Sequence, residues 1–270
     1  MTWRKYLLIP QLTRYALTAP RDQARAWERY WSAARRTGPD GDVLWDADQL
    51  AEAETVAAQL RAHADLTLPM VDVGCGNGRQ ARALTRLAPR VLGIDAATAA
   101  IERAKLEAAG AAGDDPGNLE FRVADAAQPG LGDRLVAEFG EVNVHIRGVL
   151  HTLGPAARHA VVRNLATLLG SRGTAYLCET NMLGDQLECL LIQGATPTRM
   201  PDVLRRCVAA GIRPPSHFGA AELAGYFPQP DWRTLASGPT VMYGVPLRPG
   251  GPLQEIPSFF AVLQRQPDHQ

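Results

Sequence analysis

The sequence lacks the marks of a metal framework, a membrane protein or a polyanion binder. Its 270 residues include four cysteines, Cys75, Cys178, Cys189 and Cys207, widely separated, with no C-x-x-C and no histidine at ligand spacing. A disulfide framework or a structural zinc site is therefore not expected, and a reducing cytosol is the expected compartment. Neither sign of charge is in excess: 28 Lys and Arg stand against 28 Asp and Glu. A balanced chain has no global field with which to hold nucleic acid or an acidic membrane, leaving only local patches. Long apolar runs are missing too. Nothing approaches the ~18 residues that cross a bilayer. Tyr6-Leu7-Leu8-Ile9 after Arg4-Lys5 is stopped by Pro10 and Gln11, too short for a signal-peptide core. There is no internal repeat or low-complexity tract, and the oligomeric state is left open, a homodimer being one option.

Apolar residues make up 46% of the chain, enough for a sizeable core. Residues 1–65 read as helical, with helices expected over 22–35 and over 46–64, the latter capped by Asp46 or Asp48. Trp3, Tyr6, Tyr15, Trp27, Tyr30, Trp31 and Trp45 place 7 of the 17 aromatic residues in the first 45 positions. Two readings of this segment stand: an amphipathic cap packed on the main domain, or a lid whose Tyr30, Trp31 and Trp45 face a substrate.

From residue 66 onward, short apolar runs at 69–73, 90–94, 119–123, 142–147 and 174–178 read as strands, and 79–88, 97–109 and 155–169 as helices. Alternation at this spacing implies crossover connections and a parallel sheet buried on both faces. Residues 181–239, punctuated by proline, read as an insertion with a helix near 201–210. Candidate strands at 240–245 and 258–265, joined by the Pro/Gly-rich stretch 246–257, would form an antiparallel hairpin ending the sheet. The expected fold is α/β: a doubly wound, mostly parallel seven-stranded sheet. Residues 1–65 would form a helical lid over a 66–270 domain carrying the 181–239 insertion.

The most informative segment is Val71-Asp72-Val73-Gly74-Cys75-Gly76-Asn77-Gly78-Arg79, where a strand gives way to a glycine-rich turn and then a helix. Glycine is needed where backbone must approach a ligand closely, and a helix N-terminus offers free N–H groups. The dinucleotide pattern G-x-G-x-x-G would need glycine at 79, where Arg79 stands. The pattern present is G-x-G-x-G with an acid two residues ahead. It resembles motif I of the class I S-adenosylmethionine-dependent methyltransferases, (Asp/Glu)-x-Gly-x-Gly-x-Gly. That resemblance implies a Rossmann-like methyltransferase fold. It sets Gly74 and Gly76 against the methionine part of S-adenosyl-L-methionine, gives Asp72 the amino end and counts Asn77 among the cofactor-binding residues. Asp95, closing Val91-Leu-Gly-Ile, matches the family's ribose-binding acid, with Ala96 beside it. Asp125, followed by Ala126, matches the acid that reads the adenine amino group; taken alone, it reads equally as a turn acid.

Val149-Leu150-His151 resembles the "VLH" of small-molecule O-methyltransferases, where the histidine takes the acceptor hydroxyl's proton. Those enzymes continue with Asp-Trp, whereas Thr152-Leu153 stands here. Imidazole titrates near neutrality, which suits that proton transfer. Glu179, ending the fifth strand, is the candidate partner that orients His151, or else a turn acid. Arg147 is the candidate for bidentate pairing with a cofactor or substrate carboxylate, and His145 is expected to pack under a helix. The Asn/Asp-Pro-Pro-Tyr/Phe tetrad of nucleic-acid amino-methylases is absent. The implied reaction is in-line methyl transfer to O or N of a small metabolite, with specialised metabolism as its setting and no metal, membrane or nucleic-acid partner. The same cofactor motifs would equally serve a protein that binds S-adenosylmethionine and cyclises a substrate, or only binds. An NAD-dependent oxidoreductase is disfavoured by Arg79.

Overall fold

A computed structural model describes residues 3–47, 50–110, 117–248 and 250–266. Its centre is a seven-stranded sheet of order β3-β2-β1-β4-β5-β7-β6. The strands are β1 (Met70–Val73), β2 (Val91–Asp95), β3 (Leu119–Val123), β4 (Asn143–Arg147), β5 (Thr174–Thr180), β6 (Trp232–Gly244) and β7 (Gln254–Arg265). β1 to β5 are parallel, whereas β7 pairs antiparallel with both β5 and β6. The terminal hairpin and the mostly parallel sheet agree with the sequence expectation. β6 begins eight residues earlier than expected, at Trp232. The Ser237-Gly238-Pro239 stretch reads as a loop, but β6 is the edge strand, where a missing N–H is tolerated.

The helices follow from local chemistry. α1 (Ile9–Ala16) has proline in its first turn and follows a 3₁₀ turn at Trp3–Leu8. α2 (Gln23–Ala33) starts where the Asp22 side chain accepts from Ala24 N. α3 (Leu50–His63) begins later than expected. Asp46 does not cap it, being engaged elsewhere, and Asp48 lies outside the described residues. α4 (Arg79–Leu84), α5 (Thr98–Gly110), α6 (Leu131–Phe139) and α7 (Pro155–Leu169) complete the crossovers. α8 (Gln186–Ile192), α9 (Asp202–Ala210) and α10 (Ala220–Tyr226) occupy the stretch between β5 and β6. α7 is bounded by Pro155 and Gly170, and turns Val161, Val162, Leu165, Leu168 and Leu169 onto the sheet. β5 is buried along its whole length, as a central parallel strand covered on both faces must be.

Two layers cover the sheet. One cluster joins α7 and α6 to Val71, Val73, Val144, Ile146 and Leu177. The opposite cluster joins Val56 and Leu60 of α3 and Ala81 of α4 to Met70, Tyr176, Met242 and Val262. α3 therefore belongs to the core of the sheet domain, and a boundary after residue 65 cuts behind a helix already packed in it. Only the segment up to α2 stands apart, with Tyr30, Trp31 and Val43 packed against α5 and α9. The chain leaves β1 toward β3 and then returns to β4 beside β1. This switch point opens a crevice at the C-terminal ends of the strands, where α/β sheets bind ligands.

Candidate active site

A cleft with about 1150 Å³ of empty space, partly open to solvent, lies at that crevice. Its wall includes all nine residues expected to hold the cofactor: Asp72, Gly74, Gly76, Asn77, Asp95, Ala96, Asp125, Ala126 and Arg147. They come from the ends of four adjacent strands, so the parallel register itself gathers them. The 74–78 turn rests on β2, with Gly74 N and Cys75 N both donating to Ile94 O at 2.8 and 3.0 Å. At Gly76, φ is +54°, and a Cβ would stand 2.7 Å from the Trp31 ring, so glycine alone fits.

Asp95 closes that turn. Its Oδ2 accepts from Gly76 N at 3.0 Å and its Oδ1 from Ala97 N at 2.9 Å. Burial raises its pKa to about 6, with Asp72 and Glu28 adding repulsion and the two N–H donors opposing both. Each carboxylate oxygen keeps a second acceptor position. Asp125 is exposed at the rim, its Oδ1 accepting from Ala127 N at 2.8 Å in an Asx turn. Asp72 is buried: Oδ1 lies 2.7 Å from His145 Nδ1, while Oδ2 has no hydrogen-bond partner.

Arg147 differs from expectation. Its guanidinium is gripped through two nitrogens by Glu52 of α3, and Nη1 donates to Trp45 O at 3.1 Å. The bidentate partner is thus a residue of this chain rather than a ligand carboxylate. Glu52 also accepts from Tyr243 N at 3.1 Å, joining α3, β4 and β6 at the cleft floor. Asn77 lines the cleft, but its amide donates to Asp46 and Glu107 at 2.9 and 3.1 Å. Asp46 also takes Arg79 and Gly38 N, so the glycine-rich turn is tied to the segment between α2 and α3.

Of the three aromatic residues expected to face a substrate, two reach the cleft. Trp31 and Trp45 line the cleft, joined by Trp27. Tyr30 is absent from that wall; it is 2% exposed and stacks behind Trp45 with ring centroids 5.1 Å apart. Trp27 and Glu52 were missed in the sequence. Trp27 sits one helical turn before Trp31, a same-face spacing that could have disclosed it.

His151 and Glu179 meet as expected, with His151 Nδ1 2.6 Å from Glu179 Oε2. Glu179 further accepts from the backbone N–H groups of Val149, Leu150 and His151, at 3.1, 2.9 and 3.0 Å. Neither residue is part of the cleft wall, which at this turn consists of Gly148, Val149, Thr152 and Leu153. The imidazole lies just behind Gly148, where a Cβ would stand 3.6 Å from His151 Cε1.

Comparison with known proteins bears on the domain that carries this cleft. Residues 70–173 match a family model described as a methyltransferase domain. An S-adenosylmethionine-dependent methyltransferase of Anabaena variabilis ATCC 29413 is 28% identical, with 92% of this chain and 97% of that one covered and a TM-score of 0.77. A protein solved in work on the conversion of a disulfide bond into a thioacetal group during echinomycin biosynthesis shares the fold. It is 21% identical, with 84% and 86% covered and a TM-score of 0.60. So does magnesium protoporphyrin IX methyltransferase from Synechocystis PCC 6803, solved with S-adenosylhomocysteine. Its identity is 18%, with 79% and 82% covered and a TM-score of 0.53. No curated protein matches the chain in sequence. Among the described residues, no helix is long and apolar enough to cross a membrane.

Proposed function

We propose that the chain is an S-adenosylmethionine-dependent methyltransferase of class I that methylates an oxygen or nitrogen of a small metabolite held in the cleft at the β1/β4 switch point. The observation that carries this reading is the convergence of Asp72, Asp95 and Asp125 around the 74–78 turn in one cleft. The residues present fit the cofactor. Asp72 Oδ2 is buried without a partner, and an α-ammonium group would supply the missing donor. Asp95 has acceptor positions left for two ribose hydroxyls. Asp125 and Ala126 stand where the adenine edge would lie, at the rim.

S-adenosylmethionine supplies, when bound, an electrophilic methyl on a sulfonium. The chain's own residues orient, desolvate and deprotonate. Trp27, Trp31 and Trp45 line the cleft on the N-terminal side and desolvate what packs against them. Arg147 is already paired with Glu52, so we assign it to bracing the cleft floor beside the methionine end. Glu179 fixes Nδ1 of His151, which lies behind Gly148 and outside the cleft wall, and we assign its Nε2 as the nitrogen that takes the acceptor's proton. The His151→Ala variant is expected to lose about 10²–10⁴-fold in turnover with cofactor affinity unchanged. Turnover close to that of the unmodified chain would remove His151 from the chemistry.

The titration of Asp95 supplies a second test. A protonated carboxyl gives up acceptor capacity, so the cofactor favours the ionised form. Affinity for S-adenosylhomocysteine is expected to be constant above pH about 6 and to fall below it, by up to about tenfold per unit. Calorimetry between pH 5 and 8 reads this directly, and a flat profile would contradict the ribose assignment. The acceptor reading is tested by methyl incorporation into candidate hydroxy- and amino-compounds, followed by mass spectrometry of the product.

A further inference from the structure

The strand carrying Arg147 also carries a histidine that the reaction just described leaves unused. His145 is fully buried at the middle of β4, in register with Asp72 on β1 and with Tyr176 on β5. Its ring stacks flat on Tyr176, with centroids 5.6 Å apart and planes 4° apart, and Tyr176 stacks in turn on Phe260. The imidazole therefore cannot turn without breaking the packing beneath α3. Its Nδ1 lies 2.7 Å from Asp72 Oδ1, and a carboxylate oxygen at that distance requires Nδ1 to carry a proton and donate it. Nε2 has no partner, so the ring has one hydrogen bond, and that bond goes to Asp72.

Burying a polar ring in an apolar layer costs free energy unless it serves its neighbour, and a leucine would fill the same space. The consequence for Asp72 is specific. One oxygen is held by an immobile donor, which fixes the rotamer. The other, Oδ2, is left buried and free on a residue that lines the cleft. We infer that His145 is a positioning residue for cofactor recognition: it locks Asp72 so that Oδ2 is reserved for the ammonium group of the cofactor's amino-acid end. This rests on the reading of Asp72 as the ammonium acceptor. His145 touches neither cofactor nor acceptor and acts only through Asp72.

The test compares two ligands on the full-length chain by calorimetry. S-adenosylhomocysteine carries the amino-acid end, whereas 5′-methylthioadenosine lacks it and retains the adenosine. In His145→Leu, the dissociation constant of S-adenosylhomocysteine is expected to rise about tenfold and that of 5′-methylthioadenosine less than about twofold, since only a charge-assisted contact is loosened. His145→Asn, whose amide nitrogen can occupy the Nδ1 position, restores affinity, while His145→Gln, with its amide displaced by one bond, does not. The Asn and Gln pair decides the matter if the leucine variant fails to fold. Equal weakening of both ligands, or of neither, overturns the inference. Asp72→Asn separates the two claims. If it spares the preference for S-adenosylhomocysteine, the reading of Asp72 itself is wrong. If it abolishes that preference while His145→Leu leaves it intact, only the role of His145 falls.

Discussion

Replacing Glu179 with alanine is expected to lower the unfolding free energy by about 3–5 kcal/mol, because it strips one buried carboxylate from several donors at once. Glu179 is fully buried at the end of β5 and collects three consecutive backbone N–H groups together with the His151 ring. No water can take over these donors without opening the turn at Leu150–Thr152. The corresponding fall in melting temperature is about 10 °C for a chain of this size. Glu179→Gln keeps an acceptor oxygen and should lose roughly half as much. Urea unfolding of the three proteins checks this, and a loss below about 1 kcal/mol would mean that the turn finds other partners. The result bears on function because Thr152 and Leu153 of the same turn form the cleft wall. Glu179 thus holds both the His151 ring and the turn that supplies part of the cleft wall, and its variants must be judged against their stability.

Asp95→Ala is expected to weaken S-adenosylhomocysteine binding by about 1–3 kcal/mol, roughly 5- to 150-fold. Two losses combine here. The acceptor proposed for the ribose hydroxyls disappears, and so does the carboxylate that holds Gly76 N and Ala97 N in place. Desolvation by the surrounding chain, with repulsion from the carboxylate of Asp72, raises the pKa of Asp95 to about 6, so its ionised form is held at a cost. Calorimetry at pH 7.5 measures the effect, and circular dichroism separates it from unfolding. An unchanged dissociation constant would leave Asp95 as a turn brace alone.

The parts of this site that were legible in the sequence share one property: each is a pattern of a few residues at the end of a short apolar run. The 72–78 turn and the acids at 95 and 125 each close a short apolar run, and the parallel sheet then brings the run ends together. Continuous apolar runs made β1 to β5 readable for the same reason, since strands buried on both faces show no polar alternation. The rest depends on contacts remote in sequence. Glu52 reaches Arg147 across 95 positions and Asp46 reaches Arg79 across 33, and no local pattern announces either pair. Asp72 and His145 are joined only because β1 and β4 are neighbours at the switch point. α6 escaped notice because Leu131–Phe139 is short and flanked by Gly130 and Gly140, which read as loop. Tyr30 and Trp31 are consecutive, but consecutive residues on a helix point in different directions, and of the two only Trp31 reaches the cleft.

The most direct measurement is a crystal structure of the chain grown with S-adenosylhomocysteine. The account expects the ligand across the 74–78 turn, with both ribose hydroxyls within hydrogen-bond distance of Asp95, the adenine beside Asp125 and Ala126, and the ammonium on Asp72 Oδ2. Density for the ligand anywhere else, or a ribose that Asp95 does not touch, would contradict it.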